Sequence, residues 1–255
     1  MRIYIPSAGR PDKQPTWDVL PDFIKEQTQI VVQAKQAEQY ARKFKDHMIV
    51  LPEGIETISP TRQWLLDNCD DDKMVMIDDD LTFSCRATEG STKLTPQSSA
   101  NMREMFQDVE NSLDDFTHMA ISTREGNNHV ADDIKEVGRA LRFHGLRTDV
   151  VRGLGVRFDR IQLRQDFDFT LQMLRAGKPN VIFYNYAHNQ PGSDTKGGCS
   201  VFRTPELMEK TAHTLAALHP GFVKVVEKET KSSWGGKKRT DVTVYWKKAF
   251  ADANS

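Results

Sequence analysis

The chain has 255 residues, with 35 Lys and Arg against 36 Asp and Glu, and 38% of it is hydrophobic. That length holds one large α/β domain with a full core. The near-balance of charge excludes a uniformly basic nucleic-acid coat protein and an acidic disordered chain. No run approaches the roughly 20 apolar residues of a membrane span, and the start lacks the apolar core of a signal peptide. Cys69, Cys85 and Cys199 are too few for a disulfide framework or a Cys-rich zinc site, so a reducing, cytoplasmic setting is expected.

In chain order, residues 3–5 read as a strand that runs into a small-residue turn, Pro6-Ser7-Ala8-Gly9-Arg10-Pro11. Residues 28–32 form a second β-branched run, 36–44 a helix, and 47–51 a third strand stopped by Pro52 and Gly54. Ser59 and Pro60 predict a helix start, as N-cap and N1. Residues 73–77, Lys-Met-Val-Met-Ile, read as a buried strand that runs straight into Asp78-Asp79-Asp80. Strands alternating with helices predict βαβ units and a mostly parallel sheet.

Further on, 86–99 reads as a polar loop, 101–113 as a helix with one apolar face, and 118–122 as a strand. A loop follows at 124–132, and 150–158 reads as β-rich. Residues 168–176 read as a helix closed by Gly177, and 181–184 as a strand. A glycine-rich polar stretch covers 188–200 and a helix 205–218. Strands at 222–227 and 240–246 flank a basic tip at 231–239. No repeat or linker divides the chain, so a single domain over 1–255 is expected.

The sharpest chemical signal is the acidic triplet. Three adjacent carboxylates repel one another and call for a cation or hydrogen bonds. On extended backbone Asp78 and Asp80 share a side, and two carboxylates at the carboxyl end of a strand suit Mg²⁺ or Mn²⁺, which completes its shell with water and phosphate oxygens. A solvated acidic turn is the competing reading, and it is the one expected for Asp70-Asp71-Asp72, which no apolar strand precedes. The turn after the first strand lets a ligand approach the backbone at Pro6, Ser7 and Gly9, and Arg10 can grip a phosphate. Arg62 either reaches the same pocket or lies on the surface. In Gln165-Asp166-Phe167-Asp168-Phe169 an acidic residue favours a helix N-terminus or acts as a general base on a hydroxyl. His188, just after a strand, is a third metal ligand or a structural histidine. Ser- and Cys-nucleophile motifs, Walker loops and Rossmann glycine fingerprints are missing; Cys199, in Gly197-Gly198-Cys199-Ser200, is an outside thiol candidate.

Taken in order, Ile5-Pro6-Ser7-Ala8-Gly9-Arg10, Ile77 with the Asp triplet, the segment 165–171, Gly197-Gly198-Cys199-Ser200 and Trp246-Lys247-Lys248-Ala249-Phe250 resemble the TET-associated glycosyltransferases of bacteriophages. The resemblance implies a GT-A-like, Rossmann-like fold: a mixed, mostly parallel sheet flanked by helices, with a C-terminal β-hairpin. It implies a nucleotide-sugar-binding half at 1–122 and an acceptor-binding half at 123–255. It further implies a UDP-sugar donor, a UDP-glucose for instance, held by Pro6, Ser7, Gly9, Arg10, Arg62, Asp78 and Asp79. Mn²⁺ or Mg²⁺ would sit on Asp78, Asp80 and His188. Asp166 falls where inverting enzymes place the base, with Asp168 its rival, since the usual Glu-Asp pair here reads Gln165-Asp166. The implied acceptor is 5-hydroxymethylcytosine in phage DNA, modified in the host cytoplasm.

A polyanionic acceptor needs a basic surface. Between residues 222 and 248, eight Lys and Arg face three acids. Lys231, Lys237, Lys238 and Arg239 surround Trp234, a stacking candidate, in a segment suited to phosphates. The competing expectations are a GT-A transferase with a non-DNA acceptor and a catalytically silent nucleic-acid-binding module.

Overall fold

The computed structural model describes residues 1–190, 203–229 and 238–254. Its strands are β1 (Arg2–Ser7), β2 (Thr28–Val32), β3 (Met48–Val50), β4 (Lys73–Ile77), β5 (Thr82–Arg86), β6 (Leu94–Pro96), β7 (His118–Thr123), β8 (Ile134–Glu136), β9 (Phe143–Arg147), β10 (Asn180–Asn189), β11 (Val223–Glu229) and β12 (Lys238–Val244). The main sheet runs β3-β2-β1-β4-β9-β7-β10-β5-β6, with β8 also on β10. The first four strands are parallel. β9 enters antiparallel between β4 and β7, and β10 returns parallel to β7. β11 and β12 form the separate antiparallel hairpin.

The central strands are apolar on both faces, as strands covered by helices on both sides must be. Ile3, Ile5, Val75 and Ile77 pack on one face with Met102, Met105, Phe106, Val109 and Leu113 of the helix Ser99–Asp115. Tyr4, Met74 and Met76 pack on the other with Leu65 and Leu66 of the helix Ile58–Asn68 and Phe169 of the helix Gln165–Arg175. A third cluster joins the hairpin to the helices Gln165–Arg175, Pro205–Leu218 and Trp246–Asp252. β9, from the second half of the sequence, completes the edge of β4, from the first, so one sheet runs through both.

Three expectations are corrected. β9 has no counterpart among the strands expected from sequence, since Phe-His-Gly-Leu-Arg carries no strand pattern; its His144 is buried because it stacks on His118 of β7, ring centroids 5.4 Å apart. Residues 148–153 are helical rather than extended: the Thr148 N–H donates to Asp72 O (2.8 Å), and this anchor overrides the β preference of Val150 and Val151. Ser59 is not a cap, because the helix starts at Ile58, and the Ser59 hydroxyl donates to Ile161 O (2.9 Å) instead.

Candidate active site

β1 and β4 are parallel neighbours, in register at Ile3–Val75 and Tyr4–Met76, so the segments leaving their carboxyl ends emerge side by side. Ligands of open α/β sheets bind at such ends. Gly9 takes the left-handed conformation (φ 71°) that turns Arg10 back over the strand ends. The Asp79 carboxylate accepts from the Ser7 hydroxyl (2.6 Å) and from Arg10 Nη1 (2.6 Å). Asp80 Oδ2 accepts from the same Arg10 nitrogen (3.0 Å) and from Gln190 Nε2 (2.8 Å). Asp78 Oδ1 accepts from Arg62 Nη2 (2.6 Å), and Arg62 is 2% exposed. Thr16 fixes the backbone beneath, its hydroxyl donating to Asp78 O (2.6 Å) and accepting from the Leu81 N–H (2.8 Å).

The triplet lies just past the end of β4, so the alternation of an extended strand no longer governs it. All three residues line one cavity of about 440 Å³. Burial raises the Asp79 carboxyl to about 6, against the opposing pull of Arg10 and Ser7. Burial likewise raises Asp78, with Arg62 opposing. Desolvation of the charged form is the dominant cost here, and two arginines offset part of it.

Pro6, Ser7, Arg10 and Arg62 line the cavity beside the triplet. Gly9 shapes the turn, its N–H donating to Gln36 Oε1 (3.0 Å). Across the cavity stands Asp166, in the first turn of the helix Gln165–Arg175. Asp168, one step further along, does not join it. It is fully buried and accepts from His219 Nε2 at 2.7 Å and Gln172 Nε2 at 3.0 Å, with Arg160 Nη2 at 3.2 Å. Of the two acids considered as base, only Asp166 lines the cavity.

His188 is also displaced from its expected role. β10 continues through it, its backbone pairing with Phe83 and Thr123, and its Nε2 lies 3.0 Å from Leu141 O. Burial lowers its imidazole to about 3. No group of three or more His, Cys, Asp or Glu side chains is arranged to hold a metal among the described residues. The donor set fits a hard divalent ion as a partial shell, since Asp80 Oδ1 is a buried oxygen with no hydrogen-bond partner there. Asp78 and Asp80 would hold the ion, with water and phosphate oxygens supplying the rest.

Lys231, Trp234 and Lys237 lie outside the described residues, as do Gly197, Gly198, Cys199 and Ser200. Lys238 opens β12. Arg239 lines the cavity, with Nη2 3.4 Å from Asp241 Oδ2.

Several cavity residues had no signal in the sequence. Gln190 follows β10 and reaches Asp80. Arg139 and Arg142 lie on the segment before β9, and Arg164 precedes the helix that carries Asp166. Arg142 (φ 60°) and Arg164 (φ 62°) are left-handed, a conformation that costs a non-glycine residue about 1–2 kcal/mol. Arg164 is held there by bonds to Met208 O (2.7 Å), Thr211 Oγ1 (2.9 Å) and Thr240 O (3.2 Å), which tie the helix start to the C-terminal elements.

A mixed sheet whose parallel strand ends carry an acidic triplet, with a helix-borne carboxylate lining the same cavity, is consistent with a GT-A-like fold. The chain belongs to the TET-associated glycosyltransferase family, whose model matches residues 1–198. Its structure is similar to that of S. aureus TarS 1–349, with a TM-score of 0.51 and 12% identity over 86% of this chain and 65% of that one. TarS 1–349 in complex with UDP-GlcNAc gives a TM-score of 0.52 at 11% identity, over 86% of this chain and 66% of that one. The chain thus spans just under two thirds of TarS 1–349, and at this identity the likeness is one of fold. No curated protein matches it in sequence. No helix of the described residues is long and apolar enough to cross a membrane.

Proposed function

We propose that the protein transfers a sugar, glucose for instance, from a UDP-sugar to the hydroxymethyl group of 5-hydroxymethylcytosine in phage DNA, with Mn²⁺ or Mg²⁺ on the donor diphosphate. The observation that carries this reading is the convergence of Asp78, Asp80 and Asp166, from two distant segments, on one cavity. Family membership supports a glycosyl donor, and the acceptor class is the one that the sequence resemblance implies. A divalent ion bound at Asp78 and Asp80 would offset charge on the leaving diphosphate.

The chain's own residues do the rest. Ser7, Arg10 and Gln14 hold the strand-end turn in the shape that admits the donor: Gln14 Nε2 donates to Ser7 Oγ (2.6 Å) and to Arg10 O (2.8 Å). Asp166 takes the proton from the hydroxymethyl oxygen as that oxygen forms its bond to the anomeric carbon and the bond from that carbon to the diphosphate oxygen breaks. The geometry of such a displacement inverts the anomeric centre. An enzyme that acts on a base takes it out of the stack, so the target nucleotide is flipped or single-stranded.

The test incubates the protein with hydroxymethylcytosine DNA, Mn²⁺ and a panel of nucleotide sugars, followed by mass spectrometry of the digested nucleosides. The expected product is a hydroxymethylcytidine carrying one sugar. Transfer to a non-DNA acceptor, with none to this DNA, would overturn the acceptor assignment.

A further inference from the structure

The cations named from the sequence to grip the donor, Arg10 and Arg62, are already engaged by carboxylates: Arg10 by Asp79 and Asp80, Arg62 by Asp78. Arg142 is different. It lines the same cavity, yet among the described residues no carboxylate lies within ion-pair distance of it and no hydrogen bond satisfies its guanidinium. It sits beside the triplet, because the Asp78 N–H donates to the Arg142 carbonyl (2.9 Å). Asp78 and Arg139, which line the same cavity, both feel its charge. Arg139 in turn feels Asp166. Two like charges thus share one cavity with the acid triplet and the helix-borne acid. Arg142 occupies this place in a left-handed backbone conformation (φ 60°) that favours glycine. An unpaired cation kept at a cavity wall against both charge repulsion and backbone preference marks a place where an anion belongs.

We infer that Arg142 grips the diphosphate of the donor and takes up the charge that builds on it as the glycosidic bond breaks, a role that rests on the donor reading proposed above. Its position favours the donor over the acceptor backbone, since its own carbonyl is bonded to the strand end that carries Asp78. The electrostatic gain is realised as the charge develops, because the guanidinium has no competing carboxylate to leave.

Glycine suits the backbone at this position, so Arg142→Gly separates the charge from the fold. Wild type and Arg142→Gly are compared by calorimetry with UDP, GDP and CDP in Mn²⁺, with uridine, and with a short single-stranded DNA, alongside thermal unfolding. The expected result is a melting temperature equal to or above wild type, at least tenfold weaker binding of the preferred diphosphate, and unchanged binding of uridine and DNA. Arg142→Lys recovers part of the loss. Unchanged diphosphate affinity overturns the inference alone, as does a loss confined to DNA, which assigns Arg142 to the acceptor. Equal losses for both ligands overturn it in favour of a diffuse field. Wild-type protein that binds none of the diphosphates overturns the donor reading and the inference with it.

Discussion

Asp166 and Asp168 lie two residues apart on one helix, and the structure gives them opposite jobs. Replacing Asp168 with Asn keeps its volume and removes its charge. His219, 1% exposed, then loses the carboxylate that its Nε2 meets at 2.7 Å. Arg160 loses the partner 3.2 Å away, but it is 31% exposed and recovers water. Removing one member of a buried pair costs about 3–5 kcal/mol, and the solvent access of Arg160 places this case near 3 kcal/mol. At about 2–4 °C per kcal/mol for a chain of this size, the melting temperature should fall by roughly 6–12 °C. Turnover per folded molecule should change only a few-fold, because Asp168 does not line the cavity. Asp166→Asn should do the reverse. Its melting temperature should match wild type, while turnover falls by about 10²–10⁴, the usual contribution of a general base. Thermal unfolding and initial rates of transfer, measured on the same preparations, give both numbers. An Asp168→Asn protein that melts like wild type but does not turn over would refute the reasoning and make Asp168 the base.

Asp80→Asn should abolish Mn²⁺-dependent binding of UDP with little loss of stability, since Arg10 keeps Asp79; Asp78→Asn should add a loss of about 3 kcal/mol, because among the described residues buried Arg62 has no second carboxylate. Calorimetry and urea unfolding separate the two effects. Burial lowers His118 from 6.5 to about 3, so the unfolded chain binds a proton there that the folded chain refuses. Stability is therefore complete above pH 6.5 and lost as pH falls towards 3, by about 2 kcal/mol between pH 7 and 5 for this residue, which urea titrations at both pH values would show. Neutralising Lys237, Lys238 and Arg239 together should weaken DNA binding and flatten its dependence on log salt by about 0.7–0.9 for each phosphate no longer neutralised; an unchanged slope would remove the hairpin from the DNA interface.

The parts of the site that lie on continuous sequence were legible in it. An apolar run ending in Asp78, and a short strand leading into a turn that holds Ser7 and Gly9, announce themselves because strand burial and turn chemistry are local properties. What depends on partners from elsewhere was not. In the sequence His188 reads as following a strand and Asp166 as opening a helix, and nothing nearby tells that the His188 imidazole is buried against Leu141 O while Asp166 lines the cavity. Asp168 reads as a rival base to Asp166 until His219, from beyond the helix Pro205–Leu218, engages its carboxylate. Arg142 and Arg164 leave no trace, since a left-handed arginine is set by tertiary bonds rather than by propensity. β9 was hidden for a related reason: His144 is a poor strand residue in isolation and an apolar-like one once it shares a hydrogen bond with His118 across 3.1 Å.

The place of β9 in the sheet also sets an order of events. Strands β1 to β4 form a parallel unit whose members all lie within the first 77 residues, yet the outer edge of β4 has no native neighbour until Phe143 arrives. During synthesis, at about 5–20 residues per second, that apolar edge waits several seconds unpaired. An open, hydrophobic strand edge invites pairing with another chain. The acidic triplet that follows β4 immediately places like charges at its end, so two nascent chains that align there repel. Carboxylates positioned for chemistry in the finished molecule would then also guard the unfinished one against self-association.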